Sequence, residues 1–153
     1  MKWALQIGFV IFSLGILFCS QEETVRRIEI PKESQLHLAV RDGNVSLTER
    51  LLLEGAKVDS TDALGNTPLI MSVDLEELAL VSLLVRSGAN VNHRNIVGET
   101  ALYRAVFRGN EKLVSVLLQA GANKTIVNAE GISPFELAED RGEKKILKLL
   151  KSD

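Results

Sequence analysis

Gly65-Asn66-Thr67-Pro68-Leu69 decides the fold, because its key residues return along the chain at a constant interval. Gly65, Gly98 and Gly131 are spaced by 33 residues, and so are Ser34, Thr67, Thr100 and Ser133. Leu36, Leu69, Leu102 and Phe135 form a third series in the same phase. A fourth runs Gly55, Gly88, Gly121, each followed by an alanine, Ala56, Ala89 or Ala122. A fixed period of about 20 to 50 residues marks a stack of identical supersecondary units, and four registers in phase do not arise by chance.

Each series has a physical reason. The hydroxyls of Ser34, Thr67, Thr100 and Ser133 stand where they can cap the first backbone donors of a helix, and Pro68 and Pro134 follow at the first helical position, where no amide hydrogen is needed. Leu36, Leu38 and Ala39, and their equivalents Leu69, Met71 and Ser72, Leu102 and Ala105, and Phe135, Leu137 and Ala138, fall on one face of that short helix. Its small members allow neighbouring units to approach closely. A second, more strongly apolar pattern follows, as in Leu47, Leu51, Leu52 or Leu113, Val114, Val116, Leu117, Leu118, and predicts a longer helix. Gly55, Gly88 and Gly121 end it, glycine being the residue best able to adopt the left-handed closing conformation.

These residues resemble the ankyrin repeat. Its opening pattern, Gly-x-Thr-Pro-Leu-His-x-Ala, is visible as Gly65 to Leu69 and as Leu36-His37-Leu38-Ala39. Its closing pattern is visible as Leu83-Leu84-Val85-Arg86-Ser87-Gly88-Ala89-Asn90-Val91-Asn92, and with small changes at Leu117 to Asn123 and Leu51 to Asp59. The resemblance implies an all-α solenoid with short hairpin loops, of four repeats at roughly 34–61, 62–94, 95–127 and 128–153. The first repeat lacks its hairpin half and the last stops within its second helix, as expected of end units. One departure stands out. Gly43, Gly109 and Gly142 occupy the turn between the two helices of a unit, whereas the second unit has Glu76, so its turn is expected to be reshaped or strained.

The resemblance also implies a function, protein binding by the concave side built from hairpin tips and first helices. The family's contact positions fall here on Ala63, Leu64, Asn66, Asp74 and Leu75, on Ile96, Val97, Glu99, Phe107 and Arg108, and on Ala129, Glu130, Ile132, Asp140 and Arg141. Arg41 and Asp42 end the first helix of the opening unit, and Thr61 and Arg94 flank the hairpins. Leu64, Leu75, Ile96, Val97 and Phe107 are apolar where such positions are typically polar, and with Arg94 and Arg108 beside them they resemble a binding hot spot. The partner-binding set is therefore read as Leu64, Asn66, Leu75, Arg94, Ile96, Val97, Glu99, Phe107, Arg108, Ile132 and Arg141.

Other chemistry is thinly represented. A net charge of -2 and a pI near 5.8 give no basic stripe for a nucleic-acid backbone. One cysteine closes no intrachain disulfide, and with two histidines it supplies no structural zinc set. No Gly-x-Gly-x-x-Gly or Gly-x-x-x-x-Gly-Lys loop cradles a phosphate. His37 takes the family's structural histidine position, where it is expected to bond neighbouring hairpin backbone, and His93 is expected at a hairpin tip as an exposed contact residue. The carboxylate-rich spots Glu22-Glu23, Glu76-Glu77 and Glu136 with Glu139-Asp140 read as solvated faces. Asn44-Val45-Ser46 and Asn123-Lys124-Thr125 match glycosylation acceptors, relevant only in a eukaryotic secretory route. No catalytic centre, cofactor or metal is expected.

The amino-terminal residues differ from the rest. Lys2 followed by the apolar stretch Ala4 to Phe18 has the n-region and h-region of an export signal, and Gln21-Glu22-Glu23 after it favours translocation of the remainder of the chain. Ile16-Leu17-Phe18-Cys19-Ser20 resembles a bacterial lipoprotein signal, with an aliphatic residue three before Cys19 and a small one after it, although Phe18 stands where that pattern has Gly, Ala or Ser. This implies acylation of Cys19. An uncleaved signal anchor and ordinary cleavage are the alternatives. The expected organisation is a signal at 1–19, a polar linker at 20–33 and the repeats at 34–153. The expected protein is a monomeric, non-enzymatic interaction module in the periplasm or outer envelope of a bacterium, membrane-anchored through a lipid or an uncleaved signal. A regulator or immunity-like inhibitor of an envelope enzyme is the second reading.

Overall fold

The computed structural model describes residues 30–152. Cys19, the stretch read as an export signal and most of the stretch read as a linker lie outside the described residues. Eight helices and no strand occur among those described: α1 (Lys32–Arg41), α2 (Val45–Leu53), α3 (Pro68–Asp74), α4 (Leu78–Arg86), α5 (Ala101–Arg108), α6 (Glu111–Gln119), α7 (Pro134–Asp140) and α8 (Lys144–Lys151). They pair as α1 with α2, α3 with α4, α5 with α6 and α7 with α8, one pair per repeat.

The caps form where the sequence places them in three repeats. Thr67 accepts from the Ile70 amide at 3.4 Å, Thr100 from Tyr103 at 3.2 Å and Ser133 from Glu136 at 3.2 Å. Glu136 returns its carboxylate to the Ser133 amide at 2.7 Å, closing a capping box. Ser34 does not cap. The helix begins at Lys32, inside the stretch read as linker, because Pro31 with φ -51° and ψ 143° ends the extended backbone three residues earlier. Asn44 and Asn110 cap the second helices α2 and α6.

Each helix pair turns through a left-handed residue whose amide, with the next one, closes the first helix. Glu76 sits in this turn at φ 58°, beside 67° for Gly43, 70° for Gly109 and 67° for Gly142. The turn of the second repeat is therefore not reshaped. Glu76 adopts the glycine conformation against its own steric preference, and the Asn110 side-chain amide donates to its carboxylate at 2.9 Å.

Stacking buries one stripe of every helix. First helices contact first helices and second helices contact second helices in chain order. The buried residues of the first-helix row include Ala39, Ser72, Ala105 and Ala138, while the second-helix row buries Leu51, Leu80, Leu84, Leu113, Leu117 and Leu150. By the family resemblance drawn above, the face of hairpin tips and first helices is the inner, concave one. The main core joins Val40 to Leu150 without a break, and Leu36, Ala39, Leu51 and Ala56 form a smaller one in the opening repeat. Full burial of a leucine contributes about 1.5–3 kcal/mol, so the second-helix leucines supply much of the stability. Leu38, read as part of the buried face, is exposed. Its row, with Met71, Arg104 and Leu137, lies at the edge of the buried stripe and is half-covered in the other repeats.

Candidate functional site

The loops between repeats are held by a side chain that the repeat pattern alone did not single out. Asp62 Oδ1 accepts from the amides of Leu64 and Asn66, each at 2.8 Å. Asn95 does the same for Val97 at 3.2 Å and Glu99 at 2.9 Å, and Asn128 for Glu130 at 3.0 Å and Ile132 at 2.9 Å. These three residues share the same 33-residue interval, so the signal was present in the sequence. The tight tip also requires a positive φ, supplied by Gly65 at 71°, Gly98 at 75° and Gly131 at 81°.

Adjacent tips are joined through their backbones. The Ile96 amide donates to the Leu64 carbonyl at 3.1 Å, and the Ala129 amide to the Val97 carbonyl at 2.9 Å. His93, expected as an exposed contact residue, is half-buried. Its Nε2 is 3.0 Å from the Gly65 carbonyl and ties the second tip to the third. His37 likewise departs from expectation, since its Nδ1 lies 2.8 Å from the Glu33 carbonyl of its own helix rather than on a hairpin. The reason is local: the carbonyl one turn back is within reach of the ring, and the helix supplies it.

With the backbone of the tips engaged, their side chains face outward. Leu64 is 58% exposed, Ile96 67% and Val97 48%, and Leu75 and Phe107 at the ends of the first helices are 42% and 46% exposed. Asn66 and Glu99 are half-buried and already partnered. Asn66 bonds Asp62 and Asn95, and Glu99 accepts from Asn95 and from Arg104 at 3.1 Å. Ile132 is half-buried, and Arg94, Arg108 and Arg141 are exposed.

A charge network that the sequence did not announce lies beneath Phe107. Arg104 places Nη2 2.7 Å and Nε 2.8 Å from Asp74 Oδ1 in the preceding repeat, and Nη1 3.1 Å from Glu99. Burial works against the Arg104 charge, but the two carboxylates outweigh it and hold its pKa above the usual value. Two guanidiniums lie over the Phe107 ring, with the Arg104 carbon 5.7 Å and the Arg141 carbon 5.2 Å from its centroid. Tyr103, on the same helix, is buried with its hydroxyl 3.1 Å from Asn128 Nδ2; burial, then the Glu99 and Glu130 charges, raise its pKa.

Among the described residues no group of three or more His, Cys, Asp or Glu is placed to hold a metal ion, and no helix is long and apolar enough to cross a membrane. Open depressions of about 340 and 260 Å³ lie between second helices, lined by residues such as Leu118 and Leu149, and Leu52 and Leu83. What the inner face offers is a relief of apolar tips, one aromatic ring and arginines, which is chemistry for contact with another protein surface.

A family model of ankyrin repeats in three copies matches residues 36–128, more than half of the chain. The chain belongs to the ankyrin-repeat family, an all-helical solenoid whose members are generally non-enzymatic protein-protein interaction modules. No curated protein matches it.

Proposed function

We propose that this chain is a non-enzymatic binding module that takes a protein partner on its hairpin tips and first helices, exported and held at the bacterial envelope through Cys19. The observation that carries the binding site is the exposure of Leu64, Leu75, Ile96, Val97 and Phe107 on neighbouring positions of one face. Apolar side chains grouped around an aromatic and arginines are the composition of interface hot spots. The third repeat is central, with stacked neighbours on both sides that can exclude water from the contact. Phe107→Ala combined with Arg108→Ala is expected to weaken a partner recovered from membranes by ~2 kcal/mol or more, about 30-fold in Kd. Its urea midpoint should move little, because Phe107 and Arg108 are both exposed. Binding that survives intact excludes this face, and binding lost together with folding would show that Phe107 acts as core.

Tethering rests on the sequence at Ile16 to Ser20. Acylated Cys19 becomes the first residue of the mature protein, and several acyl chains are needed because one binds a membrane only marginally. Palmitate incorporation that persists in Cys19→Ser rejects this. An intact Met1 in the membrane-extracted protein assigns the uncleaved anchor instead. An inhibitor of an envelope enzyme would use the same face, and is distinguished by a partner whose activity falls on binding.

A further inference from the structure

The arginines of the inner face differ in how well they are matched. Arg104 directs Nε and Nη2 to Asp74 and Nη1 to Glu99. Arg108 reaches Asp74 only at 3.4 Å, on the same oxygen that already accepts twice from Arg104. Arg141 has Glu143 at 4.0 Å as its ion-pair partner, beyond hydrogen-bond distance. Arg94 makes one bond, to the Gly98 carbonyl at 3.3 Å, and no ion pair among the described residues. Arg108 and Arg141 are both 38% exposed, and they stand on neighbouring repeats with the exposed Phe107 ring beside them. The ring packs against the Arg141 guanidinium and so helps hold its planar fork in place. A guanidinium carries five donors in a fixed fork that matches carboxylate oxygens two at a time. Among the described residues, those of Arg108 and Arg141 are largely unmet.

We propose that the partner presents an extended segment in which carboxylates flank an apolar side chain. The carboxylates meet Arg108 and Arg141, and the apolar side chain lies against Phe107 and the Ile96 and Val97 tip. This rests on the reading of the inner face as the binding site and specifies what it selects. The charge pattern also limits the acidic run. Glu130 and Asp140, which take the positions of Val97 and Phe107 in the last repeat, are exposed and without an ion pair among the described residues, so the partner's acids belong at the two guanidiniums beside Phe107 and are repelled by the rest of the last repeat. A uniform polyanion is therefore a poor fit, and an acidic segment interrupted by apolar side chains is a good one.

The test uses the full chain, immobilised from detergent, and a random twelve-residue peptide library displayed on phage. Enriched peptides are synthesised and their Kd is measured at two salt concentrations. The expected peptides carry aspartate or glutamate on either side of an aliphatic or aromatic residue, and bind less tightly at higher salt. Arg108→Gln with Arg141→Gln should weaken them about tenfold or more, while the urea midpoint stays near that of the parent. Arg108→Glu with Arg141→Glu should prefer the same peptides with lysine in place of the acids. Neutral or basic peptides whose binding is salt-insensitive yet lost in Phe107→Ala overturn the acidic class and leave the face standing. Peptides indifferent to Phe107→Ala overturn the face itself, and failure to enrich any peptide counts against the proposal.

Discussion

Replacing Gly98 with alanine tests how the repeats are held together at their tips. At φ 75°, an added Cβ would lie 2.8 Å from the Ala129 amide nitrogen, 2.8 Å from Arg94 Nη2 and 3.0 Å from the Asn128 carbonyl carbon. Arg94 is the end of a flexible side chain and moves at little cost. The Ala129 amide is backbone, and it donates the 2.9 Å bond to Val97 that joins the third tip to the fourth. The left-handed conformation costs an L-residue roughly 1–2 kcal/mol, of which about 0.4–1 kcal/mol is returned by the stiffer unfolded chain. Displacing the Ala129 amide adds about 1 kcal/mol, so Gly98→Ala should lose about 2 kcal/mol and Gly98→Val more. Gly131 provides the internal control, since at φ 81° its added Cβ meets nothing within 4 Å. Gly131→Ala should lose only about 0.5–1 kcal/mol, the conformational part alone. Gly65→Ala, whose Cβ would stand 3.1 Å from the Ile96 amide, should fall between them. Urea midpoints read the series, and amide exchange at Ala129 should quicken in Gly98→Ala alone. Equal losses at Gly98 and Gly131 would refute the reasoning, because the contact between tips would then carry no energy.

Two other expectations come from the same geometry. Glu76→Gly should stabilise by about 0.5 kcal/mol, the left-handed strain relieved less the extra entropy of an unfolded glycine; a lower urea midpoint would show that the Asn110 bond to Glu76 outweighs the strain. Glu136 has its pKa lowered from 4.5 by the Ser133 amide and then the Ser133 hydroxyl. A lowered folded pKa means the contribution is present above the unfolded value and lost as pH falls through the folded one. Glu136→Gln should therefore be less stable than the parent at neutral pH and converge with it in acid, and a gap independent of pH would place the capping-box effect elsewhere.

The helix starts at Thr67, Thr100 and Ser133, the left-handed glycines and the alternation of a small-residue helix with a leucine-rich one were legible in the sequence. They obey local rules of capping, backbone freedom and amphipathic spacing, and a stack of like units turns those local rules into the whole fold, since each repeat need only fit its neighbours. Leu64, Ile96, Val97 and Phe107 are exposed because the repeat register alone sets which side chains the tips and helix ends display. Other features needed the packed stack. Ser34 has the right residue type and spacing, but Pro31 starts its helix early and leaves it no cap to make. His93 finds its partner in the Gly65 carbonyl, Arg104 finds Asp74 across the interface between repeats, and Arg141 reaches the Phe107 ring from the repeat beyond. Such pairings join residues about thirty positions apart through long side chains with several rotamers. Spacing in the sequence puts them on neighbouring repeats, but which donor meets which acceptor is set by the distance and tilt at which the repeats stack.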